Sequence, residues 1–463
     1  MRTANMPVPA LARQDHPSLM SRTSSYLRTT PGRMASGLVA GIIGALLIAF
    51  NGLGAYHDVR DAVQTLGRDT VPSIVAAEKI RFVLADAHAS AMNAVLLHEV
   101  EGGPSGQAFR NNMNLAHTEL LTAAKNITYG DEEQRPIAAI MTALGAYERL
   151  LGQAQAKGGE AALADLGAAN LLMQKTILPA TVALDQANFD HLTTTFQRHR
   201  AGFALALAPF IACSLLTLAA LLAAQWYVKR RTRRTFNAGL LAATVMLGLT
   251  LLYCTSALNG VEKKLVSAKG DAFDSIHALS KARALAYEAN ADESLLLIYR
   301  GHPQAQAQAT ADYALRTRQI MAIAPAQVAS AIVSKAPFSG LLGAELSNIT
   351  YPGEEAAALR TLKAWGNYME IDQQIRTLEG AGHFAEAQAL TLGKQTGQSD
   401  WAFEAFDKAL GDTIAINQDA FEHQIAQAFA DLTRIPYILL AAVLASIAAS
   451  IAGMKPRLDE YRF

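Results

Sequence analysis

Hydrophobic residues along this chain follow two patterns, and the pair of patterns occurs twice. Four stretches are apolar throughout, at 37–56, 201–227, 238–258 and 435–453. As helices each reaches across a hydrocarbon core of about 30 Å, which takes about 20 residues. None contains Asp, Glu, Lys, Arg or His, so none offers the buried ionisable group of an ion pathway. Between them, in segments 57–200 and 259–434, apolar residues recur at three- and four-residue steps. Ile80, Val83, Leu84, Ala87, Ala91 and Val95 form one such stripe, as a single buried helix face requires. No useful length alternates as a strand would. The predicted fold class is all-α: a membrane protein with four transmembrane helices and two tandem extracytoplasmic up-down four-helix bundles.

Turn signals divide each outside segment into four helices. In the first they fall at Glu101-Gly102-Gly103-Pro104, Thr128-Tyr129-Gly130-Asp131 and Lys157-Gly158-Gly159. In the second they fall at Gly301-His302-Pro303, Tyr351-Pro352-Gly353 and Gly380-Ala381-Gly382. No breaker separates the first and last helix of each set from the neighbouring span. Pro179 and Pro436 are expected to kink those helices rather than end them. About 40 outside residues at 1.5 Å each make a rod of about 60 Å.

Basic residues orient the chain. Arg22, Arg28 and Arg33 precede the first span, Lys229, Arg230, Arg231, Arg233 and Arg234 join the second to the third, and Lys455, Arg457 and Arg462 follow the fourth. All three sets belong in the cytoplasm, which an even number of spans permits. The expected order is a cytoplasmic tail (1–36), span 37–56, bundle 57–200, span 201–227, a basic cytoplasmic loop (228–237), span 238–258, bundle 259–434, span 435–453 and a cytoplasmic tail (454–463). The first span begins too far in, and is too long, for a cleaved signal peptide. The expected location is the cell membrane, with the bilayer as first partner and both termini inside.

The two halves repeat each other. Gly37-Leu38 recurs as Gly239-Leu240, an offset of 202 that also places Ser73-Ile74 on Ser275-Ile276, Lys79 on Lys281, Arg81 on Arg283 and Asp86 on Glu288. Asn126-Ile127-Thr128-Tyr129 recurs as Asn348-Ile349-Thr350-Tyr351 at an offset of 222, each ahead of an acidic cluster. Gly145 and Tyr147 match Gly366 and Tyr368, and Phe189-Asp190-His191 echoes Phe421-Glu422-His423. A tandem duplication accounts for the pattern.

Composition narrows the functions open to it. Hydrophobic residues are 51% and charged residues 17%, against about 25% charged in soluble domains, which excludes disorder and argues against a wholly soluble chain. Forty basic and forty acidic residues cancel, leaving no global field for nucleic acid. Both cysteines, Cys213 and Cys254, lie in spans, so the outside segments have no disulfide. The eleven histidines form no metal motif: there is no His-Glu-x-x-His, and His88, His98 and His117 are not at ligand spacing. His191 and His199 share a helix face and read as an exposed or interfacial pair. No phosphate-binding glycine loop, nucleophile elbow or kinase signature occurs. The expectation is a non-enzyme without cofactor or metal.

Three features are candidate sites. Arg81 and Arg283 stand at equivalent places, where a guanidinium fork suits a carboxylate ligand; the plainer reading is a solvated flank one step off the Ile80–Leu84 stripe. Tyr129 and Tyr351 are candidate partner contacts at a loop tip, although a residue ahead of an acidic cluster is also what a helix start calls for. Arg230, Arg231, Arg233 and Arg234 are candidate contacts for a cytoplasmic partner, with topology and anionic lipid as the simpler role.

A membrane-flanked four-helix bundle whose outer helices continue into the spans resembles the ligand-binding domain of bacterial chemoreceptors and sensor kinases. Those proteins carry a signalling domain after the second span; here a second copy follows instead, and only KPRLDEYRF lies beyond the fourth. The doubled arrangement, over about residues 34–455, is similar to the actinobacterial GlnX family. There a membrane protein works with a glutamate/aspartate-binding lipoprotein and a cytoplasmic Ser/Thr protein kinase. The resemblance implies a sensor or signal relay for a small molecule such as an acidic amino acid, or for a loaded solute-binding protein. It also implies a cytoplasmic kinase or adaptor as reader, and arginines that grip the ligand between subunits, so a homo-oligomer stays open. The alternatives are an accessory subunit of a solute transporter, which the lack of broken spans disfavours, and a structural envelope spacer.

Overall fold

The computed structural model describes residues 29–99, 103–128, 130–232, 237–334 and 336–461. Among them there is no strand. The helices are α1 (Thr30–Gln64), α2 (Val71–Leu96), α3 (Pro104–Lys125), α4 (Asp131–Lys157), α5 (Gly159–Leu172), α6 (Leu178–Thr232) and α7 (Ala238–Ser267). There follow α8 (Asp274–Ile298), α9 (Pro303–Ile320), α10 (Pro325–Ser334), α11 (Leu341–Ser347), α12 (Glu354–Gly380), α13 (Phe384–Thr391) and α14 (Ser399–Asp459). Wide π turns at Thr65–Thr70, Met173–Ile177 and Ala268–Phe273 join α1 to α2, α5 to α6 and α7 to α8 without a break. Two of these turns hold matching places in the two repeats. Such one-residue expansions often mark functional positions in helices.

Every predicted break in the first repeat is a helix boundary. The second repeat is cut further. Its second helix becomes α9, α10 and α11, because Pro325 starts a new helix and Gly340 takes a φ of 113° that favours glycine. A loop at Gly393–Gln398, with Gly397 at φ 88°, separates α13 from α14.

Four continuous helical stretches are long and apolar enough to cross a membrane: Thr30–Leu96, Gly159–Arg231, Ala238–Ile298 and Ser399–Asp459. The chain divides into two compact units. The apolar unit draws on the described residues up to Val59, those within Gly202–Asn259 and those from Asp431 onward. Its outward side chains include Phe50, Leu205, Leu216, Leu252 and Leu444, all exposed, as a surface bathed in lipid tails requires. Its helices approach through small residues, the packing that bilayers favour. Thr217 lies against Gly44, and Gly239 against Gly453 and the Ala449 carbonyl. The Asn237 side chain caps α7, accepting from the Gly239 and Leu240 amides at 3.1 and 3.2 Å, and donates to the Gly453 carbonyl at 2.7 Å. A Cβ at Gly239 would collide with backbone. Gly239→Val is therefore expected to lower the unfolding temperature in detergent by the equivalent of about 1–3 kcal/mol. Gly248→Val, where a Cβ meets open space, is the control that should not.

The second unit holds Arg60–Ala201 and Gly260–Ala430. The segments between the apolar runs thus make one compact body, which the sequence left open. The reason lies in α2 and α8, whose stripes are buried on more than one side. They run parallel and in register: Phe82 meets Tyr287 with ring centroids 5.2 Å apart, Arg283 lies over the Phe82 ring, and Ser294 donates to Asn93 at 2.5 Å. Ala291, Leu295, Tyr299 and Ala309 of the second repeat complete the first repeat's core, beside Leu84, Met92, Leu144 and Tyr147. A second core, around Trp365, Tyr368 and Phe406, belongs to the second repeat with Leu96 added.

Candidate functional site

Arg81 on α2 is 7% exposed, so it is no solvated flank. Its Nη2 donates to Glu288 Oε1 on α8 at 3.1 Å, and the other carboxylate oxygen accepts from Arg316 Nε on α9 at 3.0 Å. Arg316 also donates to Asp292 and to the Gln174 side-chain oxygen. A buried chain of alternating charge thus links the two repeats. Above it opens a groove of about 700 Å³, lined by Arg81, Gln174, Lys175, Glu288, Asp312 and Arg316 among others. A further hollow of about 400 Å³ adjoins it through Gly167, Asn170, Gln308 and Asp312. Arg81 Nε and Gln174 Nε2 are buried with no hydrogen-bond partner among the described residues. Such groups cost free energy unless something accepts from them.

Arg283, the twin of Arg81, is placed differently. Its Nε and Nη2 both donate to the Asp407 carboxylate on α14, each at 2.7 Å. Aligning the two segments as their sequences pair identifies the residue that corresponds to Asp407. Up the last helix from Phe189 and Phe421, the buried pairs Asp185/Asn417 and Thr181/Thr413 keep one register. The π turn Met173–Ile177 adds a residue. Beyond it the buried pairs are Met173/Phe406 and Ala169/Ala402, which sets Gln174 on Asp407. Arg283 has a carboxylate from the last helix of its own segment; Arg81 shares Glu288 with Arg316, and the position that matches Asp407 is the amide Gln174 in the groove wall.

A second buried cluster lies in the same unit. His277 Nε2 stands 2.9 and 3.1 Å from the Asp185 oxygens and 3.5 Å from Glu78 Oε1, and Lys281 Nζ is 3.3 Å from Asp185. Burial, and then the Asp185 charge, push Glu78 up to about 8. Burial also acts to raise Asp185, but its bond to His277 and the Lys281 charge outweigh that and hold it low. His88 is buried as a neutral ring between Tyr147 and Asn170, and burial pushes it down to about 4.

The repeated Asn-Ile-Thr-Tyr turn is a capping device. Glu354 accepts the Thr350 and Tyr351 amides at 2.7 and 2.9 Å, and Glu133 accepts the Thr128 amide at 2.6 Å. Tyr351 is half-buried with its hydroxyl 3.4 Å from Ser267 Oγ; Tyr129 lies outside the described residues. Arg230 stacks on Trp226 and is exposed, as is Arg231, while Arg233 and Arg234 also lie outside the described residues. His191 bonds Glu132 at 2.7 Å and His199 bonds Glu262 at 2.9 Å, so each takes an acidic partner rather than acting as a pair.

Behind the second cap, Glu345 is 2% exposed and accepts from Asn417 at 3.3 Å. Burial, with the Glu354 charge adding, pushes it up to about 7 from 4.5. Between these values the folded chain holds a proton that the unfolded chain has released. Stability contributed by this group therefore falls as pH rises from 4.5 to about 7, by about 3 kcal/mol in all. Glu345→Gln should be the more stable protein at pH 8 and flatten that part of the melting profile; equal slopes in both proteins would count against it.

The sequence singles out Arg81 and, through Asp86, the position of Glu288; it does not point to Gln174, Lys175 or Arg316, which line the same groove. The available signal was the alignment of Gln174 with Asp407, hidden by the one-residue shift of the π turn.

These features define an all-helical protein whose four apolar helices fit a membrane protein and whose polar unit carries a charged groove. Residues 62–197 match the family model described as an actinobacterial sensor domain. The match covers the segment between the first two apolar runs and supports a sensor-domain protein. No curated protein and no solved structure matches the chain.

Proposed function

We propose that this chain is a non-enzymatic transmembrane sensor and that the Arg81 groove receives a small carboxylate-bearing molecule such as an acidic amino acid. What supports the reading most is the unequal pair of arginines. Asp407 supplies Arg283 with a bidentate carboxylate, and a ligand carboxylate does the same for Arg81. The lining carries three basic side chains against two acidic ones, which favours an anion. Gln174 Nε2 and Arg81 Nε supply unused donors.

Bound ligand touches α5 and α6 of one repeat and α8 and α9 of the other, and so biases their packing by the small shifts that packed helices allow. α6 runs unbroken from Leu178 to Thr232, which supports transmission to the basic loop with Arg230, Arg231, Arg233 and Arg234. A cytoplasmic kinase or adaptor reads the change, and a solute-binding protein delivers the ligand. The bilayer holds the protein with both termini inside.

Calorimetric titration of the full chain in nanodiscs with glutamate and aspartate tests this. Arg81→Lys keeps the charge and loses the planar fork; affinity should fall about ten- to hundredfold. Binding retained within twofold would place the site elsewhere.

A further inference from the structure

Glu78, Asp185 and His277 come from three helices, α2, α6 and α8, and from both repeats. Each turns one ligand atom inward, and these atoms all lie within 4.8 Å of one another. The edges His277–Asp185 at 2.9 Å and His277–Glu78 at 3.5 Å bracket the separation of about 3.3 Å between ligand atoms on a tetrahedral ion with bonds of about 2.0 Å. Glu78 is 4% exposed, and among the described residues its oxygens meet no donor at hydrogen-bond distance, the nearest being His277 at 3.5 Å. A buried carboxyl so poorly served by donors has room for a further partner.

The imidazole is held in place. Phe189 stacks on it at 4.3 Å and 9°, and Phe273 lies parallel at 6.0 Å. These rings fix the plane of His277 and keep Nε2 aimed at the carboxylates. Preset ligand orientation of this kind is what the surroundings of a metal centre provide. Lys281 reaches Asp185 from the rim and is about a quarter exposed. Its ammonium neutralises the centre and has room to swing into solvent when another cation enters.

We propose that Glu78, Asp185 and His277 bind one divalent transition cation, with Zn²⁺ the best fit to one imidazole and two carboxylates and a fourth position left for water. The centre clasps the two repeats together, and it lies one helical turn from Arg81 on α2.

The test is titration of the full chain in detergent, stripped with chelator, using Co²⁺ as a coloured probe and Zn²⁺ as competitor. One Co²⁺ per chain is expected, with ligand-field bands that Zn²⁺ abolishes. Asp185→Asn should weaken binding at least about a hundredfold. Lys281→Met removes the competing ammonium, leaves all three ligands, and should tighten binding about tenfold. Absence of Co²⁺ and Zn²⁺ binding in wild type would overturn the proposal. So would a sulfur charge-transfer band, which assigns the ion to Cys213 or Cys254. Should Asp185→Asn not fold, unchanged or weaker affinity in Lys281→Met would overturn it as well.

Discussion

Arg316→Met is expected to cost the folded protein about 3–5 kcal/mol, among the largest effects of any single substitution in it. Arg316 is 8% exposed and serves three acceptors at once: Glu288, Asp292 and Gln174. Methionine keeps most of the stem's volume and removes the charge. Asp292, 2% exposed, and Glu288, 6% exposed, are then left as buried acids with too few cations; each must stay charged unpaired or take up a proton, and both are costly. Arg135→Met is the contrast. Arg135 and Asp131 form an exposed pair, with side chains 81% and 73% accessible, and such pairs contribute about 0–1 kcal/mol. Thermal melts of both variants in the same detergent decide the matter, and equal melting temperatures would remove the ion chain from the account of stability.

Gln174→Asp carries the second large effect, on binding rather than folding. It gives Arg81 what Arg283 already has, a carboxylate on its own repeat's last helix. The arginine becomes self-occupied and the groove loses its net positive charge, so ligand affinity should drop about a hundredfold, the loss of a charge-assisted contact plus a repulsion. Asp407→Gln makes the reverse change in the other repeat, away from the groove, and should leave affinity within about twofold. Tighter binding in the Asp407 variant with none lost in the Gln174 variant would assign the ligand to Arg283.

Much of the fold can be read from the sequence. The apolar runs are unambiguous because lipid and helix geometry both demand about 20 such residues, and the glycine and proline breaks of the first repeat are where helices end. Less legible is the union of the two segments that lie between the apolar runs. Leu285, Ala289 and Leu297 look like an ordinary stripe, and nothing local tells that α8 also buries Ser275, Asp292 and Glu293 against other helices. Burial of polar residues is decided by partners distant in sequence. For the same reason His277 gave no sign of a metal site, since its companions Glu78 and Asp185 arrive from two other helices. Arg81 was singled out by type and repetition. Its buried state was not readable, because the partner Glu288 belongs to the other repeat and one step along a helix separates flank from core.

The number of carboxylate ligands held by one chain tests the account most directly. Equilibrium titration of the intact protein in nanodiscs with labelled glutamate and aspartate should reach one site per chain, displaceable by other small dicarboxylates and lost in Gln174→Asp. Two equal sites, one on each arginine, or saturable binding indifferent to Gln174→Asp, would contradict it.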